Sequence, residues 1–257
     1  MAPSAPPAAP AIVLDRVGLM FAGRPLFSDL SLQFAAGRTT CVLGPSGCGK
    51  STLLKLIAGS AALPAGGTVR FEPEPAAKAR LVAWMGQNDL LLPWLSLLDN
   101  VLLGARLRGE VNDTRRARAR DLLHAADLAG REQALPATLS GGMRQRAALL
   151  RTLMEEQPVL LMDEPFSALD ALTRMRLQNL AARLTRGATV VLVTHDPLEA
   201  LRLADRIIVL TGAPARVAAT LELDGPTPRD PGDPALARRH GELLGLLMAE
   251  TEATEAP

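Results

Sequence analysis

Apolar and polar residues alternate near the start of the chain, most clearly in Leu30-Ser31-Leu32-Gln33-Phe34. That is the period-two pattern of a strand with one buried face. Short segments of this kind fill Ile12 to Phe34, separated by the turn-like Ala22-Gly23-Arg24-Pro25, and they predict antiparallel strands. The pattern then changes. Thr39-Thr40-Cys41-Val42-Leu43 reads as a buried strand leading into glycine-rich sequence, after which Ser51 to Ala58 has helical spacing and Gly59 is placed to end it.

Two further aliphatic runs, Val159 to Met162 and Thr189 to Val193, each end in polar residues and are joined by helical sequence around Arg174 to Leu184. Such alternation predicts a parallel sheet with crossover helices. Ile207 to Leu210 is another short strand. Between about Gln87 and Leu139 the strand signal fades, and Asp113 is placed to cap a helix running through Arg115 to Ala126. An inserted helical subdomain is expected over about residues 88–152. Gly225 to Asp233 is too rich in Pro and Gly for regular structure, and Pro234 to Met248 is expected to form a last helix with a frayed end. The division is a leader without structure over 1–11, one folded unit over 12–222, and a linker with a helix over 223–257.

Composition narrows the classes. The 257 residues are 48% hydrophobic and 21% charged, enough apolar material for a sizeable core. A formal charge of +1 implies neither nucleic acid nor an anionic membrane. The basic cluster Arg115, Arg116, Arg118 and Arg120 has no aromatic residue beside it to stack on bases, so it reads as a solvated helix face and no nucleic-acid partner is expected. Cys41 and Cys48 lie close together, the second inside the glycine-rich loop, which argues against a structural disulfide and for a reducing compartment. Met1 to Pro10 lacks the basic residue and apolar run of a signal peptide. No stretch reaches the roughly 18 uninterrupted apolar residues of a membrane span. Leu90 to Leu98 is broken by Pro93 and Ser96, so a membrane role is expected to be peripheral.

The chemistry sits in three motifs. Gly44-Pro45-Ser46-Gly47-Cys48-Gly49-Lys50-Ser51, followed by Thr52, fits a phosphate loop between a strand and a helix. Its glycines let backbone N–H groups surround phosphate oxygens, Lys50 brings positive charge to the β- and γ-phosphates, and Ser51 offers an oxygen to Mg²⁺. Val159 to Glu164 is an apolar strand ending in two carboxylates. Asp163 is expected to organise the metal and Glu164 to polarise an attacking water. Third, Ser140 is a good N-cap for the helix after Leu139-Ser140-Gly141-Gly142-Met143-Arg144-Gln145, which makes a second anion-ready helix terminus.

With these motifs in this order the chain resembles an ABC transporter ATPase over about residues 12–222, LSGGMRQR being the family signature. The resemblance implies a phosphate-loop α/β cassette with a parallel-sheet core, an N-terminal antiparallel β layer and an inserted helical subdomain, using ATP and Mg²⁺. It implies that Phe21 stacks on adenine, that Gln87 joins Ser51 and Asp163 around Mg²⁺, that Glu164 and His195 act in hydrolysis, and that Ser167-Ala168-Leu169-Asp170 crosses a dimer seam. It further implies that Ser140, Gly141, Gly142 and Gln145 serve the site of a second copy of the chain. Gln87 to Trp94 and Leu98 to Val101 resemble importer ATPases for nitrate, aliphatic sulfonates, taurine and pyrimidine precursors of thiamine. There this Leu-rich stretch with Trp94 would receive a helix of an integral membrane permease. A solute-binding protein would be an indirect partner, and the location would be the cytoplasmic face of the inner membrane. The competing class is a soluble ABC ATPase of DNA repair, translation or cofactor assembly. Against it stand the lack of a long heptad-bearing insertion, of a second cassette and of a broad basic tract.

Overall fold

The computed structural model describes residues 9–63, 66–74 and 81–255. Its first strands, β1 (Ala11–Phe21) and β2 (Arg24–Phe34), pair as an antiparallel hairpin. The turn is tighter than expected: Ala22 and Gly23 alone form it, both with positive φ, the two-residue geometry that matches strand twist. Arg24 and Pro25 already belong to β2. A strand the sequence pattern did not predict, β4 (Thr68–Glu72), pairs with the other edge of β1, giving a three-stranded layer in the order β2-β1-β4.

The second sheet contains β3 (Thr39–Leu43), β5 (Val82–Met85), β6 (Val159–Asp163), β7 (Thr189–Val193), β8 (Arg206–Thr211) and β9 (Arg216–Glu222). Its order is β5-β6-β7-β3-β8-β9, parallel except for β9, which runs antiparallel to β8. β3 and β7 have the bounds predicted, while β5 and β9 were not anticipated. Helix α1 (Lys50–Ile57) shares a core with both sheets: Leu53 and Leu54 are fully buried among Ile12, Phe27, Phe34 and Val191. Gly59, with φ 69°, follows its end.

The helical insertion is built from α2 (Leu97–Val101), α3 (Leu103–Leu107), α4 (Asp113–Ala125) and α5 (Gly141–Leu153). One correction concerns α4. Asn112, not Asp113, is the cap: its backbone is extended and its side chain accepts from Arg115 N at 2.9 Å, whereas Asp113 is already helical. The basic face behaves as expected, with Arg115 paired to Glu110, Arg118 to Glu156, and Arg116 and Arg120 exposed.

The chain continues through α6 (Ala171–Leu184), α7 (Pro197–Leu203) and α8 (Pro234–Glu255). The last helix extends beyond the expected Met248. Arg229 holds the linker before it by donating to the main-chain oxygens of Leu201 and Ala204 at 2.9 and 2.7 Å. Of the expected leader, residues 1–8 lie outside the described residues, Pro10 accepts from Thr189 Oγ1 at 2.7 Å, and Ala11 already pairs with Glu72. Cys41 and Cys48 are both buried and free. Among the described residues no helix is long and apolar enough to cross a membrane.

Candidate active site

The loop between β3 and α1 is shaped by glycines that no other residue could replace without strain. Gly44 has φ 155°, and a Cβ there would lie 2.3 Å from the main-chain oxygen of Leu210. Gly49, with φ 97°, would meet the Phe27 ring at 2.8 Å. Gly49 is also the N-cap of α1 and offers no side-chain bond, so the first amides of α1 are presented to an anion rather than to the chain itself. Lys50 Nζ donates to the main-chain oxygens of Gly44 and Pro45, each at 2.8 Å. The loop is thereby wrapped around its own ammonium group.

β6 brings its acids to the same end of the sheet, one strand away from β3. Asp163 is buried and the Ser51 hydroxyl donates to it, yet its Oδ1 has no hydrogen-bond partner. Burial pushes its carboxyl up, with Ser51 and Lys50 opposing the rise and Glu164 adding to it. A buried, unpartnered carboxylate oxygen beside a hydroxyl is costly alone and suits a hard divalent cation that prefers oxygen ligands. Among the described residues no group of three or more His, Cys, Asp or Glu forms a dedicated cage. The donors therefore fit an ion such as Mg²⁺ that is shared with substrate phosphates and water.

At Glu164 the backbone leaves the strand with φ 49°, and its N–H donates to Val193 O at 2.9 Å. Its carboxylate lies 3.3 Å from His195 Nδ1, the imidazole being largely exposed. Phe21, Ser46, Gly47, Lys50, Ser51, Thr52, Gln87, Asp163 and Glu164 all line one open cavity of about 350 Å³. Gly49 lines it too, and Leu26 and Val193 complete it, two apolar residues that nothing in the motifs marked. His195 lines a neighbouring cavity with Gly44, Pro45 and Leu247 of α8.

The signature residues stand elsewhere. Among the described residues lining the 350 Å³ cavity, none comes from Ser140 to Gly142. Ser140 caps α5 by accepting from Met143 N at 3.3 Å, and it and Gly141 are exposed. Gly142 packs closely on the loop before α6, where a Cβ would lie 3.1 Å from Ala168 O. Gln145 departs from its expected outward role. It is buried, donates to Glu164 O at 2.9 Å and to Ser167 Oγ at 3.0 Å, and accepts from Ala168 N at 2.7 Å. Both ends of its amide are thus engaged inside its own chain. Asp170 is exposed and caps α6, accepting from Thr173 N at 3.0 Å, a bond that holds its carboxyl below the usual range.

The Leu-rich stretch divides into two roles. Leu91, Leu97 and Leu98 are buried, while Leu90 and Trp94 are 66% and 71% exposed. Arg151 fixes the start of the stretch by donating to the main-chain oxygens of Asp89 and Leu90 at 2.7 Å, and Arg144 pairs with the Asp89 carboxylate at 2.9 Å. Asn100, fully buried, accepts from Leu92 N at 2.8 Å and donates to the main-chain oxygens of Leu92, Leu95 and Ser96, each at 3.1 Å. Its solitary amide within an apolar run was the available sign of this role.

Comparison with known proteins bears on the same residues. The family described as "ABC transporter" matches residues 27–167. An aliphatic sulfonates import ATP-binding protein of Burkholderia cenocepacia is 43% identical over 245 residues, 94% of this chain and 89% of its own length. Its counterpart from Granulibacter bethesdensis is 45% identical over 240 residues, covering 93% and 94%. Among solved structures, the ATP-binding cassette MJ0796, a dimer in a post-hydrolysis state bound to ADP and Pi, matches with a TM-score of 0.72 and 30% identity. That match covers 83% of this chain and 99% of the other.

Proposed function

Since this chain belongs to the ABC transporter family of ATP-binding ATPases, we propose that it powers import of an aliphatic sulfonate, working as a pair beneath integral membrane permease subunits. The observation that carries the reading is the single cavity that gathers Phe21, Lys50, Ser51, Gln87, Asp163 and Glu164.

In this reading the ammonium of Lys50 exchanges the oxygens of Gly44 and Pro45 for the β- and γ-phosphates of ATP, while the α1 amides take the remaining phosphate oxygens. Phe21 stacks on adenine. Ser51, Gln87 and Asp163 would hold Mg²⁺, whose chemistry is to neutralise charge on the phosphates. Glu164 orients water in line with the γ-phosphorus and accepts its proton, and His195, held beside it, contacts the γ-phosphate. Water adds its oxygen to phosphorus, the β–γ bridging bond breaks, and ADP and inorganic phosphate leave.

The separation of Ser140 to Gly142 from the cavity supports completion in trans. The exposed start of α5 in one copy would close the phosphate site of the other, and the loop ending at Asp170 would lie along the seam. Exposed Leu90 and Trp94 would meet the permease, and the chain would then sit peripherally at the cytoplasmic face of the membrane. The sulfonate assignment follows the names of the relatives, and the solute itself would be selected by a binding protein and the permease.

Isothermal calorimetry tests the site: Lys50→Ala should lose nucleotide binding by at least about tenfold, and unchanged affinity would refute the assignment. ATPase activity of the reconstituted transporter, raised by an alkanesulfonate and not by nitrate, tests the solute. The opposite preference would reject it.

A further inference from the structure

Behind His195 lies a buried polar cluster that the hydrolytic reading does not use. Glu199 of α7 is 4% exposed, and its carboxylate accepts from Gln178 Nε2 of α6 at 3.0 Å and from the hydroxyl of Thr194. Gln178 is held in turn, its amide oxygen accepting from Arg202. Arg202 also donates to Asn179 Oδ1 and to the main-chain oxygen of Arg229, both at 3.1 Å. The orientation of the Gln178 amide is therefore fixed, with its N–H directed at Glu199.

Thr194 immediately precedes His195. Its Oγ1 accepts from Asp196 N at 3.1 Å, which closes the turn containing the histidine, and a hydroxyl has one proton to donate. The Glu199 carboxylate is the acceptor beside it, and the Thr194 hydroxyl pulls that carboxyl down. Asp196 is engaged elsewhere: its carboxylate accepts from Leu198 N at 2.9 Å and Glu199 N at 3.2 Å and pairs with Arg174 at 3.3 Å.

We propose that Glu199 is a positioning residue for His195, its ionised carboxylate accepting the Thr194 hydroxyl proton and so fixing the turn that aims the imidazole at Glu164. The inference rests on the placement of His195 in hydrolysis given above. A carboxylate can accept from Thr194 and Gln178 together, whereas the neutral acid brings a proton of its own into the same space.

The cluster titrates near neutrality. Burial pushes the Glu199 carboxyl up to about 7, with Thr194, Gln178 and Arg174 pulling it down and Asp196 adding to the rise. Arg202 on the same helix and Cys41 of β3 are the other ionisable groups that sense its charge. The positioning form therefore gains population as pH rises through about 7.

The test is steady-state Mg-ATP hydrolysis by the full chain between pH 6 and 8, comparing wild type with Glu199→Gln, Thr194→Val, their double variant, Thr194→Ser and His195→Ala. Glu199→Gln should lower kcat by about tenfold at pH 8 and about twofold at pH 6, with KM for ATP little changed. Thr194→Val should lose as much, the double variant no more than either, and Thr194→Ser should retain the wild-type rate. A pH-independent ratio, wild-type rates in Glu199→Gln, or losses that multiply in the double variant would overturn the proposal. Should Glu199→Gln not fold, a wild-type rate in Thr194→Val overturns it alone. Activity surviving in His195→Ala would instead refute the placement of His195, a failure distinct from that of Glu199.

Discussion

Gln145 donates to the main-chain oxygen of Glu164 at 2.9 Å, which joins the helix opening at Ser140 to the strand end that carries both acids. Removing that amide orphans Ala168 N, while Glu164 O keeps the Ser167 hydroxyl and N–H as donors. Gln145→Ala should cost about 1–3 kcal/mol of stability, read from urea unfolding, and should slow hydrolysis more than it weakens ATP binding. A stability unchanged from wild type would show that the bonds to Glu164 and Ala168 contribute nothing.

Glu164→Gln keeps the size of the side chain and removes the charge that, in the proposed mechanism, accepts a proton from water. Hydrolysis should fall by about 100-fold or more, while Lys50, Ser51 and Asp163 still bind nucleotide. If ATP bridges two copies, the variant should accumulate as an ATP-dependent dimer, because a bound ligand that is not cleaved keeps the closed state populated. Light scattering with and without Mg-ATP, beside a phosphate-release assay, gives both readouts. Near-normal release would remove Glu164 from catalysis, and slow release without a dimer would count against completion in trans.

Gly44→Ala asks for a methyl group 2.3 Å from Leu210 O, an oxygen of the sheet that cannot retreat without disturbing the pairing of β8. The variant should be less stable by about 2–4 kcal/mol and bind ATP poorly, measured by denaturant titration and calorimetry. Full stability would mean that the loop has an alternative path.

What the sequence shows and what it hides divides along burial. β3 and β7 were legible to the residue because strands covered on both faces are continuous aliphatic runs. β4 alternates exposed and partly buried positions and β9 mixes them without a fully buried residue, and their strand character comes from the edges that they pair with. β5 has only Val82-Ala83-Trp84-Met85, too short to separate from a buried turn of helix. Asn112 and Asp113 are adjacent cap formers, and only the backbone decides between them. The inward face of Gln145 was present in the helical period, since it shares a side with Leu149 and Thr152, but the family signature drew attention to its exposed neighbours. The approach of Glu164 to His195 needed the pairing of Asp163 with Val193 across β6 and β7. Spacing along the chain does not contain that sheet order.

Trp94→Ala removes a side chain that is 71% exposed, so the isolated chain should keep its stability within about 0.5 kcal/mol. Assembly with the permease should weaken severalfold or more, as loss of an exposed aromatic anchor does. Co-purification with the membrane subunits, set beside thermal unfolding of the isolated chain, separates the effects. Intact assembly would remove Trp94 from the docking surface.

The bonds from Asn100 to Leu92, Leu95 and Ser96 have a consequence for the kinetics of that assembly. The backbone that displays Trp94 loses its conformational entropy when the chain folds, not when a partner arrives. A membrane subunit would therefore meet a preset relief, and docking would need little induced fit. Changes to Trp94 should alter how long the two proteins stay together far more than how often they meet.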